Sequence, residues 1–97
     1  MIVAQVSIAP LGSGKSVSKY VKIAVDTLDS GTLRCETNAM ATVIEAESLE
    51  DLFALIRQAH TAVLDAGAQR VITEIKIDDR IDKKANIKSK LQAIDKA

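Results

Sequence analysis

Two switches of hydrophobic period, each from about two to about 3.6 residues and back, constrain this chain more than any other feature. Ile2 to Ala9 is rich in Ile and Val and ends at Pro10, as a strand does. After the loop Pro10-Leu11-Gly12-Ser13-Gly14-Lys15, the residues Val17, Tyr20, Val21, Ala24, Val25 and Leu28 recur at helical spacing. Ser16 stands where an N-cap belongs and Gly31 where a helix stops. Leu33 to Thr37 and Met40 to Ala46 read as two short strands around a tight turn at Asn38-Ala39. Ser48, with Asp51 three residues on, opens a second helix marked by Leu49, Leu52, Phe53, Ile56, Val63 and Leu64. That helix ends at Gly67. Arg70 to Asp78 then alternates Val71, Thr73, Ile75 and Ile77 against Ile72, Glu74 and Lys76, the clearest strand of the chain.

The order βαββαβ predicts a ferredoxin-like α+β fold. Right-handed crossovers put both helices on one face of a four-stranded antiparallel sheet. A charged turn from Asp78 to Lys84 and a short C-terminal helix, striped by Ile87, Leu91 and Ile94, follow. The 97 residues suit one domain, residues 1–97, with a core over 1–79 and the charged turn and tail helix over 80–97.

Composition excludes several functions. Lys plus Arg and Asp plus Glu are both 13, so the basic excess expected of a nucleic-acid binder is missing. Tyr20 and Phe53 are the only aromatics, too few for base stacking. One cysteine, Cys35, and one histidine, His60, leave no multi-cysteine metal site and no disulfide within the chain. Met1 to Ile8 is too short for a signal peptide core, and no apolar run approaches a membrane span. No metal, cofactor, nucleic-acid partner or membrane is expected, and the cytoplasm is the expected location.

Ala9-Pro10-Leu11-Gly12-Ser13-Gly14-Lys15-Ser16 nearly spells a phosphate-binding P-loop. Such a loop needs a parallel sheet and a second strand ending in a metal-holding Asp. The rest of the chain cannot build these, so the segment reads as a Gly/Ser loop before a helix, able at most to hold an anion or a polar ligand edge. His60 lies among apolar helix positions and reads as a core histidine with one hydrogen-bond partner. Cys35 reads as a packed thiol.

A turn at Asn38-Ala39 pairs Thr37 with Met40, Cys35 with Thr42 and Leu33 with Ile44, all on the face toward the helices. Thr37 and Thr42 are the polar exceptions, at the end of the sheet where Ser16 and Ser18 open the first helix. They are either ordinary strand threonines bonded to nearby backbone or the hydroxyls of a small pocket walled by Leu11, Tyr20 and Met40. The opposite face, carrying Val3, Gln5, Ser7, Arg34, Glu36, Val43, Glu45, Ile72, Glu74 and Lys76, is apolar enough to suggest a homo-oligomer interface.

Met1-Ile-Val-Ala4, Pro10-Leu-Gly12, Ser16-Val-Ser-Lys-Tyr-Val21, Met40-Ala-Thr42, Glu45, His60, Ala62-Val63 and Lys76-Ile-Asp-Asp-Arg80 resemble the YkoF-like thiamine-binding family, over nearly the whole chain. The resemblance implies a tetramer assembled through its sheets. It also implies binding of thiamine, or its hydroxymethylpyrimidine half, without catalysis. The ligand residues so implied are Ser16, Ser18, Thr37, Met40 and Thr42, beside Leu11 and Tyr20. Three positions depart from the pattern: Ala41 stands where Gly is expected, Lys15 puts a cation in the loop, and Ile81 replaces an expected Arg. The alternatives are a regulatory or interaction module acting through homo-oligomer interfaces, and a small enzyme using His60 and Glu45, two residues the layout puts on different faces.

Overall fold

The computed structural model describes residues 1–12 and 14–95. Ser13 of the loop and the last two residues of the tail lie outside them. The strands are β1 (Ile2–Pro10), β2 (Cys35–Thr37), β3 (Thr42–Ala46) and β4 (Val71–Asp79). The helices are α1 (Val17–Asp29), α2 (Leu49–Asp65) and α3 (Ile87–Ala93), with one 3-10 turn, Gly14–Ser16, leading into α1. The sheet runs in the order β2-β3-β1-β4, and every pairing is antiparallel. This is the ferredoxin-like α+β arrangement, and it holds no parallel pair on which a P-loop could be built.

Strict alternation makes β1 the centre of the fold. Ile2, Ala4, Val6 and Ile8 are buried toward the helices. α2 adds Leu52, Leu55, Ile56, Ala59 and Val63, one stripe at helical spacing. Its start is fixed by Ser48, whose side chain accepts from Asp51 N–H at 3.1 Å, with Glu50 and Asp51 favourably placed at the positive end of the helix dipole. Ser16 occupies the N-cap position of α1 but makes no side-chain cap bond, because the 3-10 turn leads the chain in. α1 lies close to α2 at its C-terminal end. A Cβ added at Gly31 would come within 2.8 Å of Leu55 Cδ1, so any side chain here requires Leu55 to shift.

One expectation needs correction. The hairpin turns one residue later than predicted, pairing Thr37 with Thr42 and Cys35 with Ile44. Asn38 is the reason. Its Oδ1 accepts from Met40 N–H at 2.8 Å and Ala41 N–H at 3.1 Å, and its own N–H donates to Ala41 O at 2.9 Å. These bonds capture Met40 and Ala41 in the turn, as Asx side chains do, so Ala39-Met40 becomes the tip and β3 starts at Thr42. Met40 is therefore 85% exposed rather than a strand residue facing the helices.

α3 lies across part of the outer face of the sheet: Ile87 is buried and flanks a common groove with Val3 and Val43. The chain's own tail thus covers part of that face, while Leu91 and Ile94 stay at least one-third exposed. Among the described residues, no helix is long and apolar enough to cross a membrane.

Candidate functional site

β1, α1 and the β2–β3 hairpin line a half-open cavity of about 200 Å³. β1 supplies Val6 and Ile8, α1 supplies Val21, Val25 and Leu28, and the hairpin supplies Thr37, Asn38, Met40 and Thr42. Val21 and Val25 are one helical turn apart, so they form a single wall. The lining residues carry no charge.

Thr37 and Thr42 form the polar feature of this cavity, with their Oγ1 atoms 2.8 Å apart. Geometry explains the contact. Asn38 with Ala41 and Arg34 with Glu45 exchange backbone bonds across β2 and β3. Thr37 and Thr42 therefore fall at a pair without backbone bonds, where opposing side chains approach most closely. Thr42 is 3% exposed, so its hydroxyl is satisfied inside the protein. One hydroxyl donates to the other. The pair keeps one proton and spare lone pairs for a further partner. A neutral apolar box with a donor-acceptor edge suits one flat heteroaromatic ring. An apolar cavity of about 150 Å³ takes a benzene, so the size also fits a single substituted ring.

A second, wider depression of about 590 Å³ lies beside the start of α1, lined by Leu11, Gly12, Ser16, Tyr20, Gly67, Gln69 and Arg70. Gly12 (φ +79°) and Gly67 (φ +114°) hold backbone conformations that side chains disfavour. The seven residues singled out in the sequence thus separate. Thr37, Met40 and Thr42 line the first cavity. Leu11, Ser16 and Tyr20 line the open depression, and Ser18 is exposed on the first turn of α1 and lines neither. The first cavity is the better candidate, because its lining is mainly apolar with a few convergent hydroxyls. Sequence reasoning missed its β1 and α1 walls. Val21 and Val25 are readable as helix-face residues, but only the tertiary structure separates them from the core stripe that meets α2.

His60 Nδ1 and Thr73 Oγ1 lie 2.7 Å apart beneath α2, so the histidine has one side-chain partner. Glu45 Oε1 accepts from Ile87 N–H on the outer face. The two residues stand on opposite faces of the sheet and cannot act on one substrate. Cys35 Sγ donates to Leu28 O at 3.6 Å. Burial, with a smaller contribution from Asp29, pushes its thiol pKa up, away from reactivity.

The architecture is that of a ferredoxin-like α+β protein, with a neutral, hydroxyl-bearing cavity between helix and hairpin as its candidate site. Comparison with known proteins narrows that class: the chain belongs to the thiamine-binding protein family, whose model matches residues 4–95. It is 47% identical over 93 residues to the UPF0045 protein MJ1052 of Methanocaldococcus jannaschii, covering 96% of this chain and 91% of that one. It is 42% identical over 101 residues to the UPF0045 protein YqgV of Bacillus subtilis, covering 99% and 96%. The crystal structure of the M. jannaschii protein superposes with a TM-score of 0.90 at 46% identity, over 99% of this chain and 97% of that one. A Thermotoga maritima protein, named for a proposed role in thiamine biosynthesis or salvage, shares the fold at a TM-score of 0.83 and 15% identity, over 96% and 97% of the two chains.

Proposed function

We propose that this protein is a non-catalytic binder of thiamine or its hydroxymethylpyrimidine moiety, and that the ligand's pyrimidine occupies the cavity between α1 and the β2–β3 hairpin. The observation that carries this reading is the Thr37–Thr42 hydroxyl pair at the edge of a neutral, apolar cavity sized for one ring. An aminopyrimidine presents donors and acceptors on its rim and apolar faces above and below. The threonine pair answers the rim, and Val21, Val25 and Ile8 answer the faces. Membership in the thiamine-binding family supports the same ligand class. The protein is cytoplasmic in this reading and works as a homo-oligomer, a tetramer on the family pattern.

Calorimetric titration of the full chain with thiamine and, separately, with hydroxymethylpyrimidine tests the ligand. Heat with a dissociation constant in the micromolar range, lost in Thr42→Val while folding is kept, is the expected result. No heat and no thermal shift with either compound would overturn it.

A further inference from the structure

We propose that Met40 is an oxidation-sensitive lid: its thioether side chain folds over a ring bound in the cavity, and conversion to the sulfoxide holds the site open. The proposal rests on the reading of this cavity as a pyrimidine site. Met40 lines the cavity yet is 85% exposed, so its side chain stands at the rim with its apolar surface in water. The backbone beneath it is fixed, because Asn38 Oδ1 accepts from the N–H groups of Met40 and Ala41 at 2.8 and 3.1 Å. Motion is therefore left to the side chain. Val6, Ile8, Val21 and Val25 of the lining are β-branched and stiff. Met40 is the one long unbranched apolar chain among the described lining residues, and such a chain adapts to what it meets. Two effects favour closure on an aromatic ligand. Folding inward removes apolar surface from water, and a thioether sulfur makes a favourable contact with an aromatic ring.

The exposure that leaves the lid free also opens its sulfur to hydroperoxides. In that step the sulfur takes one peroxide oxygen, and the S–O bond forms as the O–O bond breaks. Sulfur loses two electrons, and the leaving hydroxide of hydrogen peroxide takes up the proton of the transferred hydroxyl to become water. The product is a polar, chiral sulfoxide. Folding it against apolar walls would strip its oxygen of water without a partner, which is unfavourable. Methionine sulfoxide reductases reverse the step with two electrons and two protons, releasing the oxygen as water. The other sulfurs of the chain do not share this position. Met1 lines no part of the cavity, and the partly buried Cys35 has its Sγ bonded to Leu28 O. Met40 is no part of the packed core, so its oxidation should act on binding and leave folding alone.

Calorimetric titration with thiamine and with hydroxymethylpyrimidine tests the lid in three full-length samples: reduced wild type, wild type treated with hydrogen peroxide, and Met40→Leu treated in the same way. Peptide mass spectrometry locates the added oxygen. The expected result is a dissociation constant raised about tenfold by the Met40 sulfoxide, with an unchanged thermal transition and recovery on treatment with methionine sulfoxide reductases. Met40→Leu should bind as reduced wild type does and ignore peroxide; it retains Met1 and Cys35, so it isolates Met40. Bound ligand should also slow the oxidation of Met40, because a closed lid withdraws the sulfur from solvent. Unchanged affinity after oxidation at Met40, loss of folding on oxidation, an equal peroxide effect in Met40→Leu, or equal oxidation rates with and without ligand would each overturn the lid and leave the pyrimidine reading standing. Reduced wild type that binds neither compound would overturn both.

Discussion

Ile87 donates its backbone N–H to Glu45 Oε1 across 2.7 Å, so the first turn of α3 hangs on a side chain of β3 that lies 42 residues earlier. The carboxylate meets the helix at its positive end, where an anion is favourable. Lys90 then closes onto Asp78 of β4. Glu45→Ala removes the anchor and should lower stability by about 1 kcal/mol, the usual value of a helix cap. Urea unfolding measures the loss. Amide exchange should accelerate at Ile87 to Lys90 and stay slow in β1.

The charged turn after β4 titrates in a defined direction. Arg80 donates to both carboxylate oxygens of Asp82, at 2.8 and 2.7 Å, and holds its pKa down to about 2. Lys90 lowers Asp78 in the same way, by its hydrogen bond and its charge. Both folded values lie below the unfolded one of about 3.9. Any stabilisation from these carboxylates is therefore complete above that pH and lost as pH falls through the folded pKa. Carboxyl-carbon NMR titration should place Asp82 near 2, as in the folded protein, and Arg80→Ala should return it to about 3.9. These two carboxylates should leave stability unchanged from neutral pH to about pH 5, where neither state takes up a proton on them, and the loss below that should be small because the pairs are exposed.

His60 joins α2 to β4 through Thr73. His60→Ala removes packing and leaves the Thr73 hydroxyl without this partner, so it should cost about 2 kcal/mol. Thr73→Val should cost about 1 kcal/mol. A double-mutant cycle by chemical denaturation should show the two losses to be non-additive. Ligand affinity should be unchanged in both variants, because neither residue lines the cavity.

Asn38 and Thr42 should differ in whether a loss of binding comes with a loss of stability. Asn38→Ala removes the side-chain oxygen that holds Met40 and Ala41. It should cost about 1 kcal/mol and weaken ligand binding by loosening the hairpin tip. Thr42→Val keeps the volume and deletes the hydroxyl, so it should change stability by less than about 1 kcal/mol while abolishing measurable binding. Calorimetry and thermal unfolding of the two variants check the contrast.

The fold was legible because each element carried its own signal. The alternation of β4, the helical stripe of α2 and its Ser48 start each pointed to one structure. The hairpin was misread by one residue because Met40 is apolar and sits where a strand residue fits. The competing signal, an Asn that can bond its own following backbone, is also in the sequence and decides the turn. The site was legible in part. Thr37 and Thr42 stood out as polar residues among apolar ones, whereas Leu11, Ser16 and Tyr20 belong to a different depression. Proximity to one end of a sheet does not say on which side of α1 a residue falls, and helical phase near an irregular entry such as Gly14–Ser16 is hard to read. The anchoring of α3 on Glu45 depends on a long-range contact that no local pattern announces.

The hairpin tip has a consequence for how such a protein can change over generations. Ala39 and Met40 border the cavity yet contribute nothing to the packed interior, and their turn is held by Asn38 alone among the described side chains. Substitutions there alter the rim that a ligand meets first at little thermodynamic cost. Descendants of one ancestral sequence can therefore diverge in what they accept while keeping β1, α2 and the sheet order. Drift in preference at constant architecture is the expected history of this scaffold.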